Sequence, residues 1–184
     1  MLVVDTDVTF FRNPLEVLQG LPPEMRVADV AALDDTGPGR PHGFKTGGIV
    51  YSRYLNCGFL LLRNTAATRV LARQFRTALA ARRGINDQAV FNDVLWPLAQ
   101  RRELHAEALP PARFLNGYRF YEARCAHPIN ASAIVAVHHN WVRGDERKWA
   151  RATDYQTLVT NQSETRGSFW KRAKWAFTAL GPWN

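Results

Sequence analysis

Apolar residues occur in short blocks separated by polar turns, and the spacing inside the blocks changes along the chain. Met1-Leu-Val-Val is an apolar run of strand type, with Asp5-Thr6-Asp7 at its C-terminal end. Asn13 then stands where a helix cap is needed, with Pro14 at the first helical position and Glu16 three residues after the cap. Gly20 and Pro22-Pro23 stop that helix. Leu55-Asn-Cys-Gly-Phe-Leu-Leu-Leu-Arg reads as a buried strand. Thr65 caps a helix whose apolar face steps through Leu71, Phe75 and Leu79, and Gly84 is expected to end it. Asn86-Asp-Gln opens a further helix with Phe91, Val94 and Leu95 facing inward and Pro97 near its end. A strand-like piece lies at His105 to Leu109, Phe114-Leu-Asn-Gly reads as a turn, and Ala133-Ile-Val-Ala-Val is a second buried strand running into His138-His139-Asn140.

Strands alternating with helical patterns predict an α/β protein whose sheet is mixed but mainly parallel and flanked by helices. Residues 34–48 form a Gly/Pro-rich loop of the length that is usually functional in a compact domain. Beyond Trp149 the chain turns basic and Trp-rich, with Phe169, Ala173, Phe177 and Leu180 on one helical face. The expected division is therefore a catalytic-type domain at 1–153 and a basic tail at 154–184.

Length and composition fit this picture without sharpening it. The 184 residues suit one domain, and 46% hydrophobic with 22% charged residues is ordinary for a globular chain. No run approaches the ~18 apolar residues of a membrane span. The two cysteines, Cys57 and Cys125, are too few for a disulfide framework or a four-thiolate zinc site. Charge changes more: 24 Lys+Arg against 16 Asp+Glu gives +8, a balance that favours anionic partners such as nucleotide phosphates, acidic lipid or polyanionic glycans.

In an open α/β sheet, ligands collect beyond the carboxyl ends of strands. Two of the most apolar strands end in useful chemistry there, Asp5/Asp7 and His138/His139. Paired carboxylates at a strand end suit a hard divalent cation, and an added imidazole tilts the choice from Mg²⁺ toward Mn²⁺. Such an ion could bridge a diphosphate and neutralise a departing phosphate.

These residues, taken in order, resemble the nucleotide-diphospho-sugar transferases of glycosyltransferase family 77. The resemblance is carried by Leu2-Val-Val-Asp-Thr-Asp-Val-Thr-Phe-Phe-Arg-Asn-Pro, Leu55-Asn-Cys-Gly-Phe-Leu-Leu-Leu-Arg, Asn86-Asp-Gln-Ala-Val-Phe-Asn, Phe114-Leu-Asn-Gly and Val137-His-His-Asn-Trp-Val-Arg-Gly-Asp-Glu-Arg-Lys. It implies a GT-A fold and retaining transfer of a pentose or hexose from a UDP-sugar to a glycan or glycoprotein hydroxyl. It further implies Asp5 and Asp7 as the D-x-D carboxylates and His138 as the third ligand of Mn²⁺ or Mg²⁺. Asn56 and Gly58 would border the sugar pocket, and Asp87 and Gln88 would reach the donor sugar, with Asp87 the best candidate for a catalytic role. Asn140 and Gly144 would lie on the donor side, and Lys148 would pair with the phosphates. The family's nucleoside-binding half precedes the D-x-D, whereas only four residues precede Asp5 here, so a fragment is expected. A Golgi lumenal setting, reached through an N-terminal anchor outside this chain, follows from the resemblance alone. Asn130-Ala-Ser and Asn161-Gln-Ser are compatible with it as glycosylation acceptors.

Two other readings fit the same residues. Asp5-Thr-Asp-Val-Thr also resembles the first motif of haloacid-dehalogenase-type phosphatases, with Asp5 as nucleophile. Those enzymes need a later acidic pair at a strand end, and Asp34-Asp35 sits in the loop with no strand before it. The other rival is a non-enzymatic basic module for a membrane or a polyanion. No nucleic-acid signature is present, and no nucleic-acid partner is expected.

Overall fold

The computed structural model describes residues 1–35, 44–46, 49–51, 54–82, 84–122, 130–141, 144 and 146–150. The expected tail at 154–184, Cys125 and part of the 34–48 loop lie outside the described residues. The chain divides into two compact units, Met1–Trp141 and Val142–Asn184. In the second, residues 146–150 are helical and the Lys148 amide donates to the Gly144 carbonyl at 3.3 Å.

In chain order the strands are β1 (Leu2–Val4), β2 (Val8–Phe10), β3 (Val30–Asp34), β4 (Phe44–Thr46), β5 (Ile49–Tyr51), β6 (Leu55–Leu62), β7 (Ala106–Ala108), β8 (Phe114–Asn116) and β9 (Ala136–His138). The helices are α1 (Pro14–Gln19), α2 (Pro23–Val27), α3 (Ala66–Ala81) and α4 (Asp87–Gln100). The caps are those the sequence calls for. Asn13 Oδ1 accepts the Leu15 amide, and its amide group donates to Glu16. Thr65 and Thr68 form a reciprocal capping box on α3, and Asn86 accepts the Ala89 amide at the start of α4. α3 stops at Ala81 rather than running to Gly84, which takes a positive φ in the turn beyond.

The larger sheet has the order β1-β6-β3-β7 and the smaller one the order β2-β9-β8, while β4 and β5 form a hairpin. The architecture is the expected mixed α/β, but parallel pairing does not dominate among the described residues. Only β3·β7 and β8·β9 are parallel, against antiparallel β1·β6, β2·β9, β3·β6 and β4·β5. The reason is where the helices fall. A parallel neighbour needs a long crossover, yet α3 and α4 both come between β6 and β7, so no helix separates β3 from β6. Two further expectations are corrected. Phe114-Leu-Asn is a buried strand, β8, instead of a turn, and Asp34-Asp35 do have a strand before them, the wholly buried β3.

Each side of the larger sheet carries its own core. Val30, Leu55, Leu60, Leu71, Phe91 and Leu95 pack beneath α3 and α4. Leu18, Leu33, Phe59, Leu109, Phe114 and Val135 fill the other side, where Phe59 meets Phe10 at 5.8 Å and Phe114 at 5.5 Å. The pairing of β3 with β6 shifts register between Ala32 and Leu33. Because of that shift, Leu55 and Cys57 share the helix-side core with Leu60 and Leu62, although simple alternation would put them on opposite faces. Asn56 and Gly58 are thereby turned to the other face, toward the end of β1.

Candidate metal and donor site

Asp5 and Asp7 follow β1, and His138 ends β9. The antiparallel pairing of β2 with β9 sets Val8 opposite His138, which brings the start and end of the first unit together. The Asp5 amide donates to the Gly58 carbonyl at 2.8 Å, and the His139 amide donates to the Asp7 carbonyl at 2.9 Å, so backbone bonds hold both carboxylate residues. Their side chains converge with the imidazole. His138 Nε2 lies 3.1 Å from Asp7 Oδ1 and 3.6 Å from Asp5 Oδ2, with side-chain exposures of 5% for His138, 15% for Asp7 and 59% for Asp5. One side of the cluster is sealed and the Asp5 side is open to solvent.

The protonation pattern of His138 follows from its neighbours. Asn56 Oδ1 accepts the Gly58 amide N–H at 2.8 Å, which fixes that atom as the oxygen. His138 Nδ1 lies 3.0 Å from the same oxygen and must therefore donate. In the neutral ring Nε2 then carries the lone pair, and that lone pair faces two carboxylates. Two carboxylate oxygens and an imidazole nitrogen, all within 4.8 Å of one another, form a set that a cation completes when Nε2 carries no proton. Oxygen, oxygen and imidazole nitrogen suit Mn²⁺ or Mg²⁺. Gly58 shows the same tightness, because a Cβ built there would run into the Asp5 carboxylate and the His138 ring. The residues present therefore fit a divalent metal.

Behind this cluster stands a chain of amides and carboxylates. Asn56 Nδ2 donates to Gln88 Oε1 at 2.8 Å, and Gln88 Nε2 donates to Asp35 Oδ2 at 2.8 Å. The other oxygen of Asp35 accepts Asn140 Nδ2 at 2.9 Å and the Trp141 indole N–H at 3.0 Å. Asn140 in turn accepts the Gly117 amide at 2.8 Å. Trp141 holds φ at 67°, a left-handed conformation that costs a bulky residue on the order of 1–3 kcal/mol and is found mainly where function demands it. Asp34, beside Asp35, meets Arg119 at 3.4 Å.

Seven of the expected site residues are thus drawn together: Asp5, Asp7, His138, Asn56 and Gly58 directly, Gln88 and Asn140 through Asp35. Asp87 is exposed at the start of α4, where its Oδ1 accepts the Gln88 amide and its carboxylate reaches the Cys57 thiol. Burial first, and then the charges of Asp87 and Asp5, push the Cys57 thiol up to about 12. Gly144 and Lys148 belong to the second unit. Trp141 and the His139 contacts were not singled out from the sequence, and Asp35 entered only as a loop acid weighed for the phosphatase reading. His139, the second of the pair, is buried with Nε2 2.8 Å from the Thr9 hydroxyl and Nδ1 2.7 Å from the Tyr121 hydroxyl, so it braces β9 rather than joining the carboxylates.

Comparison with known proteins gives the class of protein to which this strand-end Asp/Asp/His set belongs. Residues 1–151 match the nucleotide-diphospho-sugar transferase family, and the chain belongs to that family. It is similar to the beta-arabinofuranosyltransferase RAY1 of Arabidopsis thaliana, with 27% identity over 167 residues, 82% of this chain and 29% of that protein. The chain thus spans less than a third of the length of this curated relative. Among solved structures it is similar to the galactosyltransferase LgtC in complex with donor and acceptor sugar analogs (TM-score 0.44, 15% identity, 92% of this chain and 63% of that one). It is also similar to the glycosyltransferase GlyE of Streptococcus pneumoniae TIGR4 (TM-score 0.43, 14% identity, 91% and 45%).

Proposed function

We propose that this chain carries the metal- and phosphate-binding part of a GT-A-type glycosyltransferase. It would transfer a pentose or hexose from a UDP-sugar to a hydroxyl of a glycan or glycoprotein, with retention, in the Golgi lumen. The observation that carries the reading is the convergence of the Asp5, Asp7 and His138 ligand atoms within 4.8 Å of one another, with the imidazole held from behind by Asn56. In this site Asp5, Asp7 and His138 hold Mn²⁺ or Mg²⁺, and the bound ion supplies neutralisation of the diphosphate leaving group. Gln88, fixed in place by Asn56 and Asp35, stands beside the donor sugar, with Asn56 and Gly58 shaping the wall there. Lys148, after Gly144, is the proposed partner of the phosphates, a role supported by its place in the matched segment. Asp87, exposed beside the cluster, is the acidic group available to the acceptor. Attack by the acceptor hydroxyl from the face of the leaving phosphate then requires no enzyme nucleophile.

Membership of the transferase family weighs against the phosphatase reading of Asp5. The structure does supply an acidic pair at a strand end, but Asp34 and Asp35 are already engaged by Arg119, Gln88, Asn140 and Trp141. Titration calorimetry of UDP into the 184-residue chain, with and without Mn²⁺, tests the proposal. The expected result is Mn²⁺-dependent binding that Asp7→Asn and His138→Ala abolish. UDP binding indifferent to the metal and to both substitutions would sink it.

A further inference from the structure

The 16 residues of α3 include no Asp or Glu, and Arg69, Arg73 and Arg76 all stand exposed on it. Their spacing of four and three residues places them as neighbours along one face, where like charges repel. Little compensates them. Arg69 donates to the neutral amide of Asn64 at 2.7 Å, and the carboxylate of Asp93 is taken by Arg82 at 2.6 Å. Among the described residues neither Arg73 nor Arg76 meets a carboxylate. Beside them runs a shallow groove of about 450 Å³ between α3 and α4, lined by Arg73, Gln74, Thr77, Arg82 and Val94. It contains none of the metal-site residues. The helix leads through residues 82–86 to the start of α4, where Gln88 joins the donor-site network.

We propose that this arginine face and its groove bind an acidic glycan, the anionic stretch of the acceptor chain. The identification as acceptor rests on the transferase reading above; the anion-binding surface does not. Guanidinium groups pair with carboxylates through two parallel N–H donors, and the Gln74 amide and Thr77 hydroxyl beside them suit sugar hydroxyls. A membrane surface fits less well. A helix lying in a bilayer interface offers an apolar face, whereas the apolar residues of α3 are turned inward, with Phe75 edge-on to Phe91 at 5.6 Å. None of the large exposed hydrophobic residues lies on α3. The face also lacks the aromatic rings on which single-stranded nucleic acid stacks.

Fluorescence anisotropy with a labelled galacturonate decamer, without nucleotide or metal, tests this on the 184-residue chain. A neutral maltodecaose and vesicles containing phosphatidylserine serve as comparisons. The decamer is expected to bind and the neutral oligomer not to. Arg73→Gln with Arg76→Gln should weaken decamer binding at least tenfold, and the Lys pair should retain part of it. Calorimetric Mn²⁺ and UDP binding by the Gln variant should stay unchanged, showing that it folds and that the donor site is separate. Equal binding of the neutral oligomer, decamer binding untouched by the double variant, or binding to vesicles alone would each overturn the proposal. Loss of Mn²⁺-dependent UDP binding in the unmodified chain would instead count against the transferase reading.

Discussion

Asn56→Ala separates the metal ligands from the residue that aims them. Asn56 is 2% exposed and serves three partners, accepting from the Gly58 amide and His138 Nδ1 and donating to Gln88 Oε1. Removing it strands all three, and at about 1 kcal/mol net per hydrogen bond the chain should lose about 3 kcal/mol of stability. The sharper effect is on the ion. Without Oδ1 nothing holds the His138 proton on Nδ1, and such outer partners are worth about 10–100-fold in metal affinity. Asn56→Asp keeps an acceptor at the same place and adds charge behind the ring, which makes Nε2 a better donor. It should therefore bind Mn²⁺ within a few-fold of the unmodified chain, even though it loses the donor to Gln88. Free Mn²⁺, counted by its EPR signal during titration, gives the affinity directly, and chemical denaturation gives the stability. If Asn56→Ala bound Mn²⁺ as tightly as the unmodified chain while His138→Ala did not bind, the tautomer argument would be refuted.

Gly58→Ala should remove Mn²⁺ binding while circular dichroism stays unchanged, since the added methyl meets the Asp5 carboxylate and the His138 ring rather than the core. His139→Phe should cost about 2 kcal/mol, the two hydrogen bonds to Thr9 and Tyr121, yet leave Mn²⁺ affinity near its original value. Equal loss of the ion from this variant and from His138→Ala would show that the wrong histidine has been assigned. Cys57, with its thiol raised from 9.0 to about 12, is protonated at every pH below that value. In a Cys125→Ser background, iodoacetamide should alkylate it on the order of 50-fold more slowly than a free cysteine at pH 8, since a roughly thousandfold smaller thiolate fraction is partly offset by greater nucleophilicity. The rate should climb as pH rises toward 12, and a plateau near pH 9 would contradict the assigned environment.

What could be read from the sequence was what a few neighbouring residues decide among themselves. Asn13, Thr65 and Asn86 each cap the helix they were expected to start, because capping is a matter of three or four consecutive residues. Asp5, Asp7 and His138 could be grouped because each follows a conspicuous apolar run. Two of the short strands could not be read. β2 and β8 have three residues each, too few to show alternation, and Phe114-Leu-Asn-Gly carries the turn chemistry of Asn-Gly although parallel pairing with β9 makes it a strand. β3 was missed because Val-Ala-Ala-Leu-Asp holds three residues of low strand preference, and burial on both faces overrides them. Asp35 was lost with it, since an acid entering a Gly/Pro loop looks solvated until the fold presents Gln88, Asn140 and Trp141.

The pairing of β2 with β9 has a consequence for how the first unit folds. Asp7 and His138 are 131 positions apart, and Thr9 and His139 are 130 apart, so these contacts close nearly the whole unit into one loop. Contacts of such separation are slow to form, because their entropy is lost before they return anything. A partly folded chain therefore has the carboxylates but not the imidazole. An ion that needs all three selects the closed form and stabilises it by mass action, by about 2.7 kcal/mol at a hundred times its dissociation constant. The cluster would then act as a clasp: the metal ion proposed to serve the substrate would also hold the two ends of the first unit together.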